Sequence, residues 1–547
     1  MFTGRTQRDI SGRTDRSVTS WYPAAPAGAE QSQKAVATLT EARTTTRRSG
    51  RLLIALAALP AIAGALLLGA RTFRTSSTPT GGEGLVPKPA PPAIFARQIC
   101  SFSNADAAAA DVQGADGGQS LVVGGRTWWL FGDTLFLPVS GKQIEQNAIA
   151  WSDARGPDGC PRLTYYTRDG IAVPFLPKDG SLTVWPSGVW AVDDHTFDFY
   201  TSYIYGSGPY AYSIGEVGLA QLDTATMQTT VLSRKLWAAD SAASQQIIGT
   251  EPVEVGSDGL LRIVLETKAP GVTESTSVSE ILARVDPSRM ADARAYEYWT
   301  GGRWSASLAD ARPLWQVTGS DDPVRKLANF ENGASIAWNK SLHKYVALVN
   351  TSFASVGART ADRLEGPWSD AQPWLDCTTF AQVRVPTCYS PLQHASLATD
   401  DGGRMFVTAS SIEPYSTTAF EVRPGAAIHE WRGPEHAVAY AEASPGSGWS
   451  DQGVAFYASA TPIEGFESVY SWQHGDVSRF AAVSPGDGFT RGDVAFYAPP
   501  APSVAGSSVT YRPVFVWCNG DEELLSPKSS GLEQYGYTRG EAAFYAP

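Results

Sequence analysis

This sequence has no metal-binding or phosphate-binding pattern. No C-x-x-C pair occurs, and the six histidines (195, 343, 394, 429, 436 and 474) never fall at metal-ligand spacing, so no metal site is expected. A glycine-rich phosphate loop is also missing, and no cofactor is expected. Charge is scarce, at 18% of residues against a usual ~25%. Helical periodicity is scarce too between residues 96 and 422. In their place stand 52 Gly, 36 Pro, 17 Trp, 21 Tyr and 21 Phe. That composition points to an all-β, turn-rich protein and excludes wholesale disorder. The net charge of −12 excludes nucleic acid as a natural partner. The length of 547 residues suggests roughly three structural units, at about 100–200 residues each.

The charge is uneven. Residues 1–74 hold eleven Lys/Arg against four acids, a balance of +7, so the other 473 residues carry −19. Where the two parts join, residues 52–70 read LLIALAALPAIAGALLLGA, nineteen positions without a charge. As a helix this run covers roughly 28 Å, close to a ~30 Å hydrocarbon core. Arg43, Arg47, Arg48 and Arg51 lie on its N-terminal side. The positive-inside rule then predicts a disordered cytoplasmic segment 1–51, a single-pass transmembrane anchor 52–70 and an extracellular body. A cleaved signal peptide is the competing reading, but 51 residues ahead of the apolar run is too long for one. Pro79, Pro87, Pro89, Pro91 and Pro92 mark 71–95 as a semi-rigid linker. Disulfides are permitted outside the membrane. Cys377 with Cys388 is the first expected pair and Cys100 with Cys160 the second, leaving Cys518 over.

The body contains two kinds of repeat. Between 96 and 422, β-rich runs flank turn signals centred on Gly124-Gly125, Asp193-Asp194, Ser257-Asp258, Lys340-Ser341 and Asp401-Gly402. Five hairpins at this spacing predict a five-bladed β-propeller, with a β-sandwich carrying insertions as the alternative. The last stretch, 423–547, repeats GWSDQGVAFYA from Gly448, GFTRGDVAFYA from Gly488 and GYTRGEAAFYA from Gly536, each preceded by a Trp (431, 472, 517). This predicts a three-repeat β-trefoil-like module with Phe456, Phe496 and Phe544 in a shared core.

The stretch GADGGQSLVVGGRTWWLFGDTLF is where chemistry is expected. With Gly124-Gly125 as a two-residue turn, paired positions add to 249, and so do 116 and 133. Asp116 and Asp133 should therefore share one end of the hairpin, even if Gly117-Gly118 interrupts the ladder. Two carboxyls so placed push one pKa up and leave the other group ionised. Glycoside hydrolysis needs that division between a proton donor and a base or nucleophile. A turn residue before Gly-Gly and a strand cap are the structural alternatives for the two Asp. Trp128, Trp129 and Trp185 could offer flat faces to a sugar or fill the blade core.

Several segments, GADGG, WWLFGDTLF, YEYWTGGRW (296–304), SIAWNKSLHKYVALV, LEGPWSD (364–370) and CYSPLQHASLA (388–398), resemble the family catalogued as domain of unknown function 4185. Members of that family are assigned as endo-D-arabinanases of glycoside hydrolase family 183. The resemblance covers roughly 96–422 and implies a propeller with an axial active site. It also implies endo-acting cleavage of D-arabinofuranosyl linkages in arabinogalactan and lipoarabinomannan, with Asp116 and Asp133 as the family's acids. The chain departs from the pattern near the fourth blade, where Glu331 is displaced from the strand serine, Ser335. Glu251 is a weaker candidate for the missing acid. His394 is expected at the start of a fifth-blade strand, either facing the axis to bind a sugar hydroxyl or satisfied within the blade. The tail resembles the repeat domain of unknown function 5648, which implies attachment to carbohydrate or wall. The expected function is thus a membrane-anchored glycoside hydrolase acting on cell-envelope arabinan. A non-catalytic glycan-binding protein is the alternative.

Overall fold

The computed structural model describes residues 90–547, except 137–143, 154–158, 207–211, 239–245, 269–276, 319–334, 353, 380–386, 435–436, 476 and 521. The expected cytoplasmic segment 1–51, anchor 52–70 and most of the linker lie outside the described residues, as does Glu331. Among the described residues, no helix is long and apolar enough to cross a membrane. The protein is all-β.

The described residues of 93–424 form five antiparallel sheets of four or more strands in chain order, with a two-stranded ribbon at 167–172 beside them. Their first strands are β2 (Val112–Val123), then Thr183–Ala191, Gln246–Val255, Ser335–Asn339 and Tyr389–Gln393. Each first strand turns back through one of the five hairpins read from sequence. In sheet one, β2 pairs with β3 (Arg126–Phe136) across Gly124-Gly125, both at positive φ as a two-residue turn requires. The five first strands touch in cyclic order without pairing, and the fifth returns to β2.

Packing repeats the same cycle, because each sheet is apolar on both faces. Leu130 and Ile149 of sheet one meet Phe197, Phe199 and Leu222 of sheet two. Tyr200 and Leu219 of sheet two meet Ile263 and Ile281 of sheet three. Val264 and Leu282 meet Ala347 and Val349. Leu348 and Val356 meet Val407 and Phe420. Phe406 and Ala419 of sheet five close the cycle against Trp129 and Phe131. Five apolar layers therefore lie between the five sheets.

The cycle is sealed by the N-terminal strand. β1 (Ala93–Ser101) pairs with Tyr415–Pro424 as the outermost strand of sheet five. Ala93, Ile94 and Phe95 are buried in it, so the linker expected to reach residue 95 ends before Ala93. Three apolar residues in a row cannot remain in an exposed spacer when a sheet edge is available to cover them. The cysteines pair as expected, Cys100 with Cys160 and Cys377 with Cys388, and Cys518 is free.

The tail follows after Gly425. It consists of three three-stranded sheets with identical order, whose central strands are Ala426–Arg432, Glu467–His474 and Arg512–Asn519. The register also repeats: Ile428 opposes Phe456, Val469 opposes Phe496 and Val514 opposes Phe544, and a bulge follows each. The three Phe rings meet edge-to-face, with centroids 5.2, 5.0 and 5.2 Å apart. Tail loops dock on β1, where Tyr511 Oη donates to the Ile94 carbonyl at 2.8 Å and the Ser508 N–H to that of Ala96 at 2.8 Å.

Candidate active site

The hairpin β2–β3 keeps its register at two ends and loses it in the middle. Positions 119–123 pair with 126–130, and Gly114 and Ala115 pair with Leu135 and Thr134, all adding to 249. Between them both strands bulge, at Asp116–Gly118 and Gly132-Asp133. The Asp116 side chain replaces the missing ladder bond: its Oδ1 accepts the Asp133 N–H at 2.8 Å. The glycines in GADGG and FGD follow from this geometry. Gly117 and Gly118 sit at φ +73° and +96°, and a Cβ on Gly132 would lie 2.6 Å from Asp116 Oδ1.

Other sheets hold the two carboxyls in place. Tyr389 Oη donates to Asp116 Oδ2 at 3.0 Å. Tyr415 bonds Asp116 and reaches the Asp133 carbonyl at 3.1 Å. Trp185, on the first strand of sheet two, donates its indole N–H to Asp133 Oδ1 at 2.7 Å. An indole can only donate, so this bond fixes the orientation of the Asp133 carboxyl. Burial, followed by the Asp133 charge, pushes the Asp116 carboxyl up to about 7, and the phenols of Tyr415 and Tyr389 restrain the rise. Asp116 is half-buried.

Glu251 lies on the first strand of sheet three. It accepts from Gln119 of β2, from the Ile336 N–H and from Ser335 Oγ at 3.4 Å. Gln119 stands three residues after Asp116 on β2 and so links Glu251 to the strand that carries Asp116, while Asp133 lies on β3. Burial pushes Glu251 up to about 8 even against its hydrogen bonds.

Other candidates fall elsewhere. The fifth first strand ends at Gln393, five residues earlier than the hairpin pattern implied, and residues 395–397 form a 3-10 turn. His394 therefore follows the strand and is buried. Ser120 Oγ lies 2.6 Å from its Nδ1 and Thr408 Oγ1 lies 2.8 Å from its Nε2, which leaves neither nitrogen for a sugar. Its role is to join sheets one and five. Trp128 and Trp129 are core residues, 3% and 0% exposed, and offer no face to a ligand. Tyr389, Tyr415 and Gln119 were not anticipated. Tyr389 follows a cysteine in CYSP, and nothing local ties it to a residue 273 positions away. Among the described residues, no cluster of His, Cys, Asp and Glu is arranged to hold a metal ion.

The family model described as Domain of unknown function (DUF4185) matches residues 102–421, more than half of the chain, and the chain belongs to that family. No curated protein matches it. Among solved structures, a family-62 glycoside hydrolase in complex with xylotriose matches at 10% identity and TM-score 0.38, over 60% of this chain and 97% of that one. The Bacillus subtilis arabinanase matches at 10% and 0.33, over 57% and 96%. The exo-β-1,3-galactanase of Phanerochaete chrysosporium matches at 12% and 0.36, over 83% and 95%. Overlaps this loose assign no activity to the chain.

Proposed function

We propose that the chain is a membrane-anchored, outward-facing glycoside hydrolase that cleaves D-arabinofuranosyl linkages within cell-wall arabinan. The five sheets are read as the blades of a propeller and the tail as a trefoil-like module that attaches to the wall glycan. The membrane reading rests on the apolar run 52–70 and its flanking arginines. The arabinan reading rests on the motifs around Asp116 and Asp133.

The observation that carries the hydrolase reading is the bonded pair Asp116 and Asp133, with a third buried carboxyl, Glu251, tied to the same strand through Gln119. Asp133, fixed by the Trp185 indole, acts at the anomeric carbon, either directly or through a water. Glu251, on another sheet and raised to about 8, is protonated at neutral pH and gives its proton to the leaving oxygen. Asp116, bonded to the Asp133 N–H, sits on the same side as the base. It holds that carboxylate in place and sets its field. The test incubates the purified full-length chain with arabinogalactan and measures reducing ends. Release of oligosaccharides by wild type and its loss in Asp133→Asn are expected. No release by wild type, or equal release by the variant, overturns the reading, and binding without cleavage favours the glycan-binding alternative. Nuclear magnetic resonance of the first-formed anomer decides between retention and inversion.

A further inference from the structure

Sheet five holds a second cluster of charge, on its outer strands and away from the carboxyls. Glu421, with a side chain only 2% exposed, receives three guanidiniums. Arg97 of β1 reaches its Oε2 through Nε at 3.0 Å and Nη2 at 2.8 Å. Arg404 reaches the same oxygen through Nη2 at 2.9 Å. Arg423 reaches Oε1 through Nε at 2.8 Å.

One carboxylate neutralises one cation. Among the described residues, three arginines on Glu421 therefore leave two positive charges uncompensated at one place in a body that is otherwise strongly acidic. Arg423 turns its remaining donors toward the tail, where Nη1 meets the Pro462 carbonyl at 3.4 Å. Arg97 and Arg404 do not: each is 39% exposed, and among the described residues neither has an ionic partner besides Glu421. Both line a cavity of about 270 Å³, bounded also by Ile99, Leu397, Met405 and Phe406. That is several times the ~30 Å³ share of one water. Each guanidinium offers five donors in a planar fork, and the bonds to Glu421 leave Nη1 of Arg97, and Nε and Nη1 of Arg404, free to engage an acceptor. The geometry points to a binding site for a small organic oxyanion, a carboxylate or phosphate ester. Its anionic group would lie against Arg97 and Arg404, in a mainly polar cavity that Gln98 and Glu421 also line.

The experiment is calorimetric titration of the full-length chain at constant ionic strength with three probes: inorganic phosphate, glycerol phosphate and glucuronate. Saturable binding of at least one probe is expected, weakened at least tenfold in Arg404→Gln and abolished in Arg97→Gln/Arg404→Gln. A preference for glycerol phosphate identifies a phosphate-bearing ligand and a preference for glucuronate a carboxylate-bearing one. Either outcome supports the site. Arg404→Lys keeps the charge without the fork, and intermediate binding by it supports the site as well. The double variant leaves Arg423 on Glu421, and circular dichroism checks that it folds. Binding should be unchanged in Asp116→Asn/Asp133→Asn, which separates this site from the proposed hydrolysis. Heats no larger than a sodium chloride control for all three probes, or full binding by the double variant, would overturn it.

Discussion

The two parts of the body treat repetition in opposite ways. In the tail, three sheets share one order, one register and one bulge position, and their three phenylalanines meet almost symmetrically. Among residues 93–424, five sheets share a plan but each departs from it, and the deepest departure is the double bulge at Asp116 and Asp133. Regularity serves cohesion: every repeat supplies the same wall to the same core. A reacting group needs the reverse, a backbone diverted so that a side chain takes a ladder bond and neighbours from distant sheets converge on it. Where the protein stops repeating is where its carboxyls gather.

That contrast can be broken in graded steps. The largest effect is expected at Asp133: Asp133→Asn should lower arabinan hydrolysis by roughly 10³-fold or more while the thermal transition stays in place, read by reducing-end release. Glu251→Gln should follow at about 10²–10⁴-fold, with partial recovery on substrates whose leaving group needs no proton. Gly132→Ala forces a methyl against Asp116 Oδ1 and should cost about 10²-fold in kcat with a smaller change in KM. In the tail the same scale of perturbation should do the opposite. Phe456→Ala, Phe496→Ala and Phe544→Ala should each destabilise the tail by about 3–5 kcal/mol in denaturant titrations, by similar amounts, and leave hydrolysis by the folded fraction unchanged. A loss at one phenylalanine far larger than at the other two would show that the threefold core is not shared.

The smallest effect concerns pH. Asp116 has a folded-state pKa of about 7, above its unfolded value, so its neutral form is favoured by folding. Its contribution costs nothing below about pH 4, and stability falls as pH rises from there through 7. Asp116→Asn should therefore raise Tm by a few degrees at pH 8.5 and by nothing measurable at pH 3.5. Tyr389→Phe removes a bond that holds this carboxyl down, and the Asp116 titration, followed by carbon-13 nuclear magnetic resonance, should move upward.

How much of this was legible in the sequence varies with distance along the chain. Gly124-Gly125 fixed the β2–β3 turn, and alternate pairing counted outward from it brought Asp116 near Asp133. The tail repeats were visible because eleven residues recur three times. Both signals are local. The partners of the carboxyls are not: Trp185, Tyr389 and Tyr415 are 52, 273 and 282 residues from the aspartates they hold, and only the closed cycle of sheets brings them there. His394 shows the converse error. The turn signal at Asp401-Gly402 was sound, but alternation cannot tell a strand from a 3-10 turn over a few residues, and the strand ended five residues upstream, at Gln393.

β1 also sets a schedule. The first of the described strands finds its partner only when Tyr415–Pro424 exists, and Arg97 is 324 residues from Glu421. At the usual ~5–20 residues per second of synthesis, the gap lasts roughly 15–65 s. Tyr389 and Tyr415, which hold Asp116, arrive at the end of the same interval. A ribosome-bound or truncated chain therefore has the aspartates but no seat for them, and the wall-degrading chemistry proposed here would stay silent until the last sheet has been delivered.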